Sequence, residues 1–179
     1  MIKKLLLILV AIIAALIVVV TTRPDDFRFS RSTNIAAPPT VVFEHVNDFH
    51  KWDAWSPWAK LDPNSKATFE GSPSGQGAIF KWAGNGEVGE GQQTIVESRA
   101  PELVRIKLEF TKPFTATNDV EFTFKPEGSG TRVTWTMSGK NNFIGKAISL
   151  VMDCEKMVGP MFEKGLASMK TVAEVAPKP

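Results

Sequence analysis

The sequence predicts an α+β chain: a curved antiparallel β-sheet wrapped around a long C-terminal helix, preceded by one transmembrane helix. Three patterns predict it. Leu5 to Val20 is a run of sixteen apolar residues. Between residues 67 and 137, apolar and polar residues alternate with period two, which puts one face in a core and the other in water. From Ala147 to Val172 the apolar residues recur with the helical period of about 3.6 instead.

The first pattern reads as a membrane anchor over residues 1–23. Spanning about 30 Å of hydrocarbon takes roughly 20 residues, a length that residues 2–22 reach when Lys3 and Lys4 snorkel at one end. A cleaved signal has an apolar core of about 7–15 residues and an Ala-x-Ala type site. Val18-Val19-Val20-Thr21-Thr22-Arg23-Pro24 offers no such site. The only cysteine is Cys154, which excludes a lipid-bearing cysteine near the start. Lys3 and Lys4 favour a cytoplasmic tail, although Arg23, Arg28 and Arg31 weaken the asymmetry. The expectation is a single-pass membrane protein with its domain extracytoplasmic, on the periplasmic or cell-surface side.

Residues 24–175 then form one domain, with a tail at 176–179. Phe27 to Ile35 alternates as a strand and is stopped by Ala36-Ala37-Pro38-Pro39. Proline suits a helix first turn, where its missing N–H would be unpaired anyway. Val42, Phe43, Val46 and Phe49 then give Thr40 to Phe49 one buried helical face. Lys51 to Trp58 holds three tryptophans and Pro57, so it reads as an irregular segment folded back onto the domain. Strands follow at 67–70, 78–82, 92–98, 104–110, 119–125 and 132–137, with turn chemistry at Asn85-Gly86 and Glu127-Gly128-Ser129-Gly130. The closing helix reads as one continuous element from Ala147, kinked near Gly159 by Pro160.

Composition narrows the function. Setting aside Lys3, Lys4 and Arg23, the domain holds 18 basic and 19 acidic residues, a net of −1. No basic patch with interleaved aromatics appears, which argues against nucleic acid as a partner. One cysteine and two histidines, His45 and His50, argue against a disulfide and against a metal centre; no cofactor is implied. Twelve Phe, five Trp and no Tyr make an aromatic chain without a phenol to serve as a general acid.

Several stretches carry a family likeness. They are Ser30-Arg31-Ser32 to Pro38, Asn47-Asp48-Phe49 to Trp58-Ala59-Lys60-Leu61-Asp62-Pro63, and Lys112-Pro113-Phe114-Thr115-Ala116-Thr117-Asn118. Thr134-Trp135-Thr136-Met137-Ser138-Gly139 with Asn141-Asn142-Phe143 completes the set. Together they resemble the polyketide cyclase/dehydrase-like branch of the SRPBCC superfamily, also called START-like or helix-grip, over residues 27 to about 174. The resemblance implies the helix-grip fold. Its members include lipid carriers, hormone receptors and cyclases, so function rests on the site.

The expected site is a hydrophobic cavity between sheet and terminal helix, lined by Trp55, Trp58, Phe69, Phe80, Trp82, Phe110, Phe122, Phe124, Trp135 and Met137, with Met157 and Met161 from the helix. The same residues would equally fill a core. The tryptophan segment reads as a plug, as a gate over the cavity, or as an interfacial belt. Arg31 lies on the apolar register of the first strand, where a charge needs a partner. Arg31, His50, Asp53 and Asn118 are the candidates for acid–base chemistry. Cys154 falls on the apolar helix face, where thiols are inert. The reading that follows is membrane-anchored binding of a hydrophobic small molecule or lipid without chemistry. The alternatives are a cyclase or dehydratase-like enzyme, and an interaction module with a filled core that engages another membrane protein.

Overall fold

The computed structural model describes residues 2–175; the tail expected at 176–179 lies outside them. The sixteen-residue apolar run sits in α1 (Ile2–Thr21), twenty residues long and exposed along its length except at Val20. It is one helix long and apolar enough to cross a membrane.

The domain follows as β1 (Asp26–Ile35), α2 (Pro39–Asn47), a 3-10 turn (Phe49–Ala54), β2 (Lys66–Gly71), β3 (Ala78–Ala83), β4 (Glu90–Arg99), β5 (Leu103–Lys112), β6 (Ala116–Glu127), β7 (Gly130–Lys140), α3 (Phe143–Ile148) and α4 (Cys154–Val175). The seven strands form one antiparallel sheet in the order β1-β7-β6-β5-β4-β3-β2. β1 and β2 are consecutive in sequence yet occupy opposite edges. The chain between them therefore crosses the inner face, and α2 with the 3-10 turn makes that crossing.

Local chemistry fixes the crossing. Pro39 opens α2, and Val42, Phe43 and Val46 turn inward at helical spacing. Asp48 caps the 3-10 turn by accepting from the His50 N–H at 2.9 Å. The Trp52 indole donates to the Val46 carbonyl at 3.0 Å and the Trp55 indole to the His45 carbonyl at 2.9 Å. Both rings are buried, so the segment is a plug pinned to α2.

α4 lies along β1. Gly159 lets it approach so closely that an added Cβ would stand 2.4 Å from Arg31 Nη2. At Gly165 a Cβ would stand 2.9 Å from Pro57 and 3.0 Å from the Trp135 ring. The terminal helix is not the single element that its periodicity predicts. α3 stops at Ile148 and α4 starts at Cys154, because Asp153 is a helix cap: its Oδ1 accepts from the Lys156 N–H at 3.2 Å. An apolar stripe carries no record of a break when both pieces keep the same face inward.

Candidate functional site: an inner face half filled and half open

Side chains alternate between the two faces along each strand, with the register shifting in β4 at Glu90/Gly91 and Ile95/Glu97, and the pairing sorts the inward ones into rows. One row runs Arg31, Trp135, Phe122, Val104 across β1, β7, β6 and β5. A second, nearer the α1 end, runs Phe27, Gly139, Asn118, Leu108, Gln93, Phe80, Phe69. A third runs Ala116, Phe110, Gly91, Trp82, Ala67.

The β1–β7–β6 half is filled. Trp135 and Phe162 of α4 stack face to face, with centroids 4.0 Å apart and planes at 9°. Sheet and helix are therefore in direct contact there. Phe122 stands 4.8 Å from Trp135, Trp55 stands 5.6 Å and Trp58 5.7 Å. Trp55, Phe122, Phe124, Trp135 and Met137 are all buried. These five were expected as cavity lining; their own side chains occupy the space. Trp58, half-buried, closes the cluster against Phe162. The Trp135 indole N–H finds no acceptor among the described residues, unlike those of Trp52, Trp55 and Trp82.

The β2–β5 half is closed at one end, where Ala78, Ile95, Val104 and Ile106 are buried beneath α2 and the 3-10 turn, and less covered at the end toward the β5–β6 turn. α4 makes its main contacts with β1, α2 and the 3-10 turn, and a ladder of aromatics, partly buried except for the exposed Phe69, runs across the less covered end. Phe110 meets Trp82 edge-on at 5.6 Å; Trp82 stacks on Phe80 at 6.1 Å; Phe80 meets Phe69 at 5.4 Å. His50 lies over Phe69 at 4.1 Å, and Phe49 joins Phe80 to the buried cluster at 6.0 Å. Phe69 is 42% exposed, a high value for a phenylalanine in a sheet. Met157 and Met161 sit on the outer part of α4, exposed and half-exposed. Leu108 belongs to this surface and was missed as a site residue; its alternation with Phe110 was the available signal.

Two clefts lie on the outer surface. One of about 400 Å³ is bordered by Phe43, Glu44, Lys51, Ser74 and Pro101; one of about 290 Å³ by Arg99, Leu103, Phe124 and Pro126. Neither is lined by α4.

The four candidates for acid–base chemistry stand apart. Arg31 bonds Glu163 at 2.8 Å and Glu155 at 3.0 Å, and these bonds, Glu155 first, hold its guanidinium above the ordinary value. The charge expected to need a partner has two. His50 bonds Asp48 at 2.9 Å, Asp53 is exposed, and Asn118 is buried beside Gly139. No hydrogen bond or ion pair joins any two of the four among the described residues. Cys154, expected on the apolar face, is exposed at the start of α4. No group of His, Cys, Asp and Glu among the described residues is arranged to hold a metal ion.

With this geometry in hand, the family can be settled. Residues 26–174 match the family described as polyketide cyclase / dehydrase and lipid transport. The chain belongs to this family. Solved structures carry the same helix-grip fold at low identity. Protein CV1439 from Chromobacterium violaceum is 14% identical, with TM-score 0.59 over 85% of this chain and 99% of that one. The Aha1 dimer from Colwellia psychrerythraea is 14% identical, with TM-score 0.61 over 83% and 97%. The di-domain ARO/CYC BexL from the BE-7585A biosynthetic pathway is 16% identical, with TM-score 0.61 over 89% of this chain and 53% of BexL. At these identities the likeness is one of fold. No curated protein matches the sequence.

Proposed function

We propose that this member of the polyketide cyclase / dehydrase and lipid transport family is a membrane-anchored binding domain for a hydrophobic small molecule or lipid, acting without chemistry. The observation that carries it is the aromatic ladder Phe110, Trp82, Phe80, Phe69 on the inner face, whose first three rings are only partly buried and whose last is exposed. Aromatic faces exposed side by side gain about 25 cal/mol for each Å² that an apolar ligand removes from water. α1 would hold the domain at a bilayer, with residues 24–175 on the extracytoplasmic side. Trp58, partly buried beside the filled cluster, would border the ligand on the side of the tryptophan segment.

The full chain, purified in detergent and reconstituted into vesicles, is incubated with a fluorescent fatty acid. Saturable binding that is lost in Trp82→Ala/Phe110→Ala supports the reading; binding unchanged in that variant, or no binding at all, overturns it. Protease added to cells stripped of any outer envelope tests the side of the membrane: a domain cut at that stage is extracytoplasmic, and one cut only after lysis is cytoplasmic.

A second reading has its own observation. The 4.0 Å stack of Trp135 on Phe162 leaves the sheet–helix interior solid, as in an interaction module with a filled core. Absence of ligand uptake together with retention of a specific membrane-protein partner would favour it. The cyclase or dehydratase reading has the family description behind it, but it would need Arg31, His50, Asp53 or Asn118 gathered around one substrate, and these four stand apart.

A further inference from the structure

Of the large apolar side chains exposed outside α1, five lie at one end of the domain: Phe114, Phe143, Ile144, Val151 and Met152. Register locates them. Asp26 pairs with Lys140, so the start of β1 and the end of β7 share an edge of the molecule. Phe110 pairs with Ala116 and Asn118 with Gly139, so the β5–β6 turn bearing Phe114 projects from that same end. α3 and the segment to Met152 follow directly from β7.

This is also the end where α1 arrives. Four residues separate Thr21 from Asp26, a reach under about 20 Å even when fully extended. α1 touches α3, and Val20 at its foot is buried. The junction is bonded as well: the Asn141 N–H donates to the Asp25 carbonyl at 2.7 Å, and Lys146 of α3 pairs with the Asp25 carboxylate. That pairing holds the Asp25 carboxyl below its ordinary value. Arg23 and Lys140 lie at the same end, where cationic side chains meet anionic headgroups.

We infer that this end of the domain rests on the bilayer, with Phe114, Phe143, Ile144, Val151 and Met152 inserted at the headgroup–acyl boundary. The inference rests on the proposed reading of α1 as a membrane span. A cluster of exposed apolar residues marks a contact surface, and a tether this short presents the bilayer to this surface first. The consequence bears on the source of the ligand. Phe110 and Trp82 occupy the inner row nearest this end, two residues from the β5–β6 turn in the case of Phe110. A hydrophobic ligand would pass from lipid to the aromatic ladder without crossing water.

The test uses the full chain in vesicles of phosphatidylethanolamine and phosphatidylglycerol. In a Cys154→Ser background, spin labels are placed singly through Leu9→Cys, Phe114→Cys, Ile144→Cys and Ser129→Cys, the last on the β6–β7 turn at the opposite end. Accessibility to oxygen relative to a water-soluble nickel chelate should be several-fold higher at positions 9, 114 and 144 than at 129. Position 9 in lipid with 114 and 144 in water overturns the inference and leaves the membrane span standing; position 9 in water overturns both. The unsubstituted chain gives an independent reading through a lipid carrying a photoactivatable diazirine. Adducts in 112–116 and 141–152 support the inference, and adducts confined to α1 overturn it.

Discussion

The two halves of the inner face use the same residue types to different ends. Under α4, Trp135, Phe122, Trp55 and Phe162 are in ring-to-ring contact and water is excluded. Over β2–β5, Phe69, Phe80, Trp82 and Phe110 make a comparable set of ring contacts on the same inner face and remain partly in water. The difference lies in what covers them. α4 follows one edge of a seven-stranded sheet, and a single helix is narrower than the curved surface beneath it. Aromatic content therefore does not distinguish a buried patch from a partly exposed one here; the positions of α4 and of the crossing segment do.

The largest effect should come from breaking the filled half. Trp135 is 3% exposed and touches both α4 and the tryptophan segment. Trp135→Ala should cost about 3–5 kcal/mol by chemical denaturation, since rigid rings on all sides cannot collapse into the void. Trp135→Phe should cost markedly less, because it also removes a buried N–H that has no acceptor. A loss under about 1 kcal/mol for the alanine variant would mean that this half is not packed solid.

Next come the two glycines of α4, which meet different neighbours. A Cβ at Gly165 runs into Pro57 and the Trp135 ring, neither able to yield, so Gly165→Ala should destabilise by about 1–3 kcal/mol. A Cβ at Gly159 meets the end of the Arg31 side chain, which can swing aside. The helix propensity of alanine, about 1 kcal/mol over glycine, then offsets the displaced contact, and Gly159→Ala should be close to neutral. Equal losses at the two positions would contradict this account of where the helix presses on rigid structure.

These contrasts mark how far the sequence could be read. Strand positions were legible because period two is a strong signal, and residues 104–110 and 132–137 fall inside β5 and β7. That the tryptophan segment folds back was legible, because three tryptophans beside Pro57 do not make a solvated loop; the choice among plug, gate and belt was not. The break at Ser149–Asp153 was not, since a helix cap is one residue, Asp153, set against a continuous apolar stripe. The division of the inner face was not legible at all. Phe122 and Phe110 occupy identical alternation patterns, and only tertiary placement, with Trp52 and Trp55 of the crossing segment set over Phe122, makes one buried and the other partly buried. The partners of Arg31, 124 and 132 residues away, are likewise set by tertiary approach.

The open half should respond in binding more than in folding. Trp82→Ala and Phe110→Ala each remove a ring that is already partly in water, so each should cost about 1 kcal/mol of stability. In the double variant the dissociation constant for a fluorescent fatty acid should rise about tenfold, equivalent to about 1.4 kcal/mol. Phe122→Ala should show the reverse ranking, with a large stability loss. Identical profiles for Phe110→Ala and Phe122→Ala would erase the distinction between the halves.

The smallest effect concerns His45, whose backbone carbonyl accepts the Trp55 indole bond and whose Nδ1 is buried without a partner. Burial, and then the nearby Lys51, push its pKa below the ordinary 6.5. The folded state thus disfavours the protonated ring. Below about pH 6.5 the unfolded chain binds a proton that the folded chain rejects, so stability is fully present above that pH and declines as pH falls toward the lowered folded value. Its contribution should be a fraction of a kcal/mol to about 1 kcal/mol, discounted because the ring is only half-buried. Denaturation of the full chain at pH 7.5 and 5.5, compared with His45→Gln, isolates it: the variant should lose less stability on acidification. An equal loss in both proteins would show that the plug end of the filled half admits a charged imidazole, and that its packing is looser than the tryptophan contacts require.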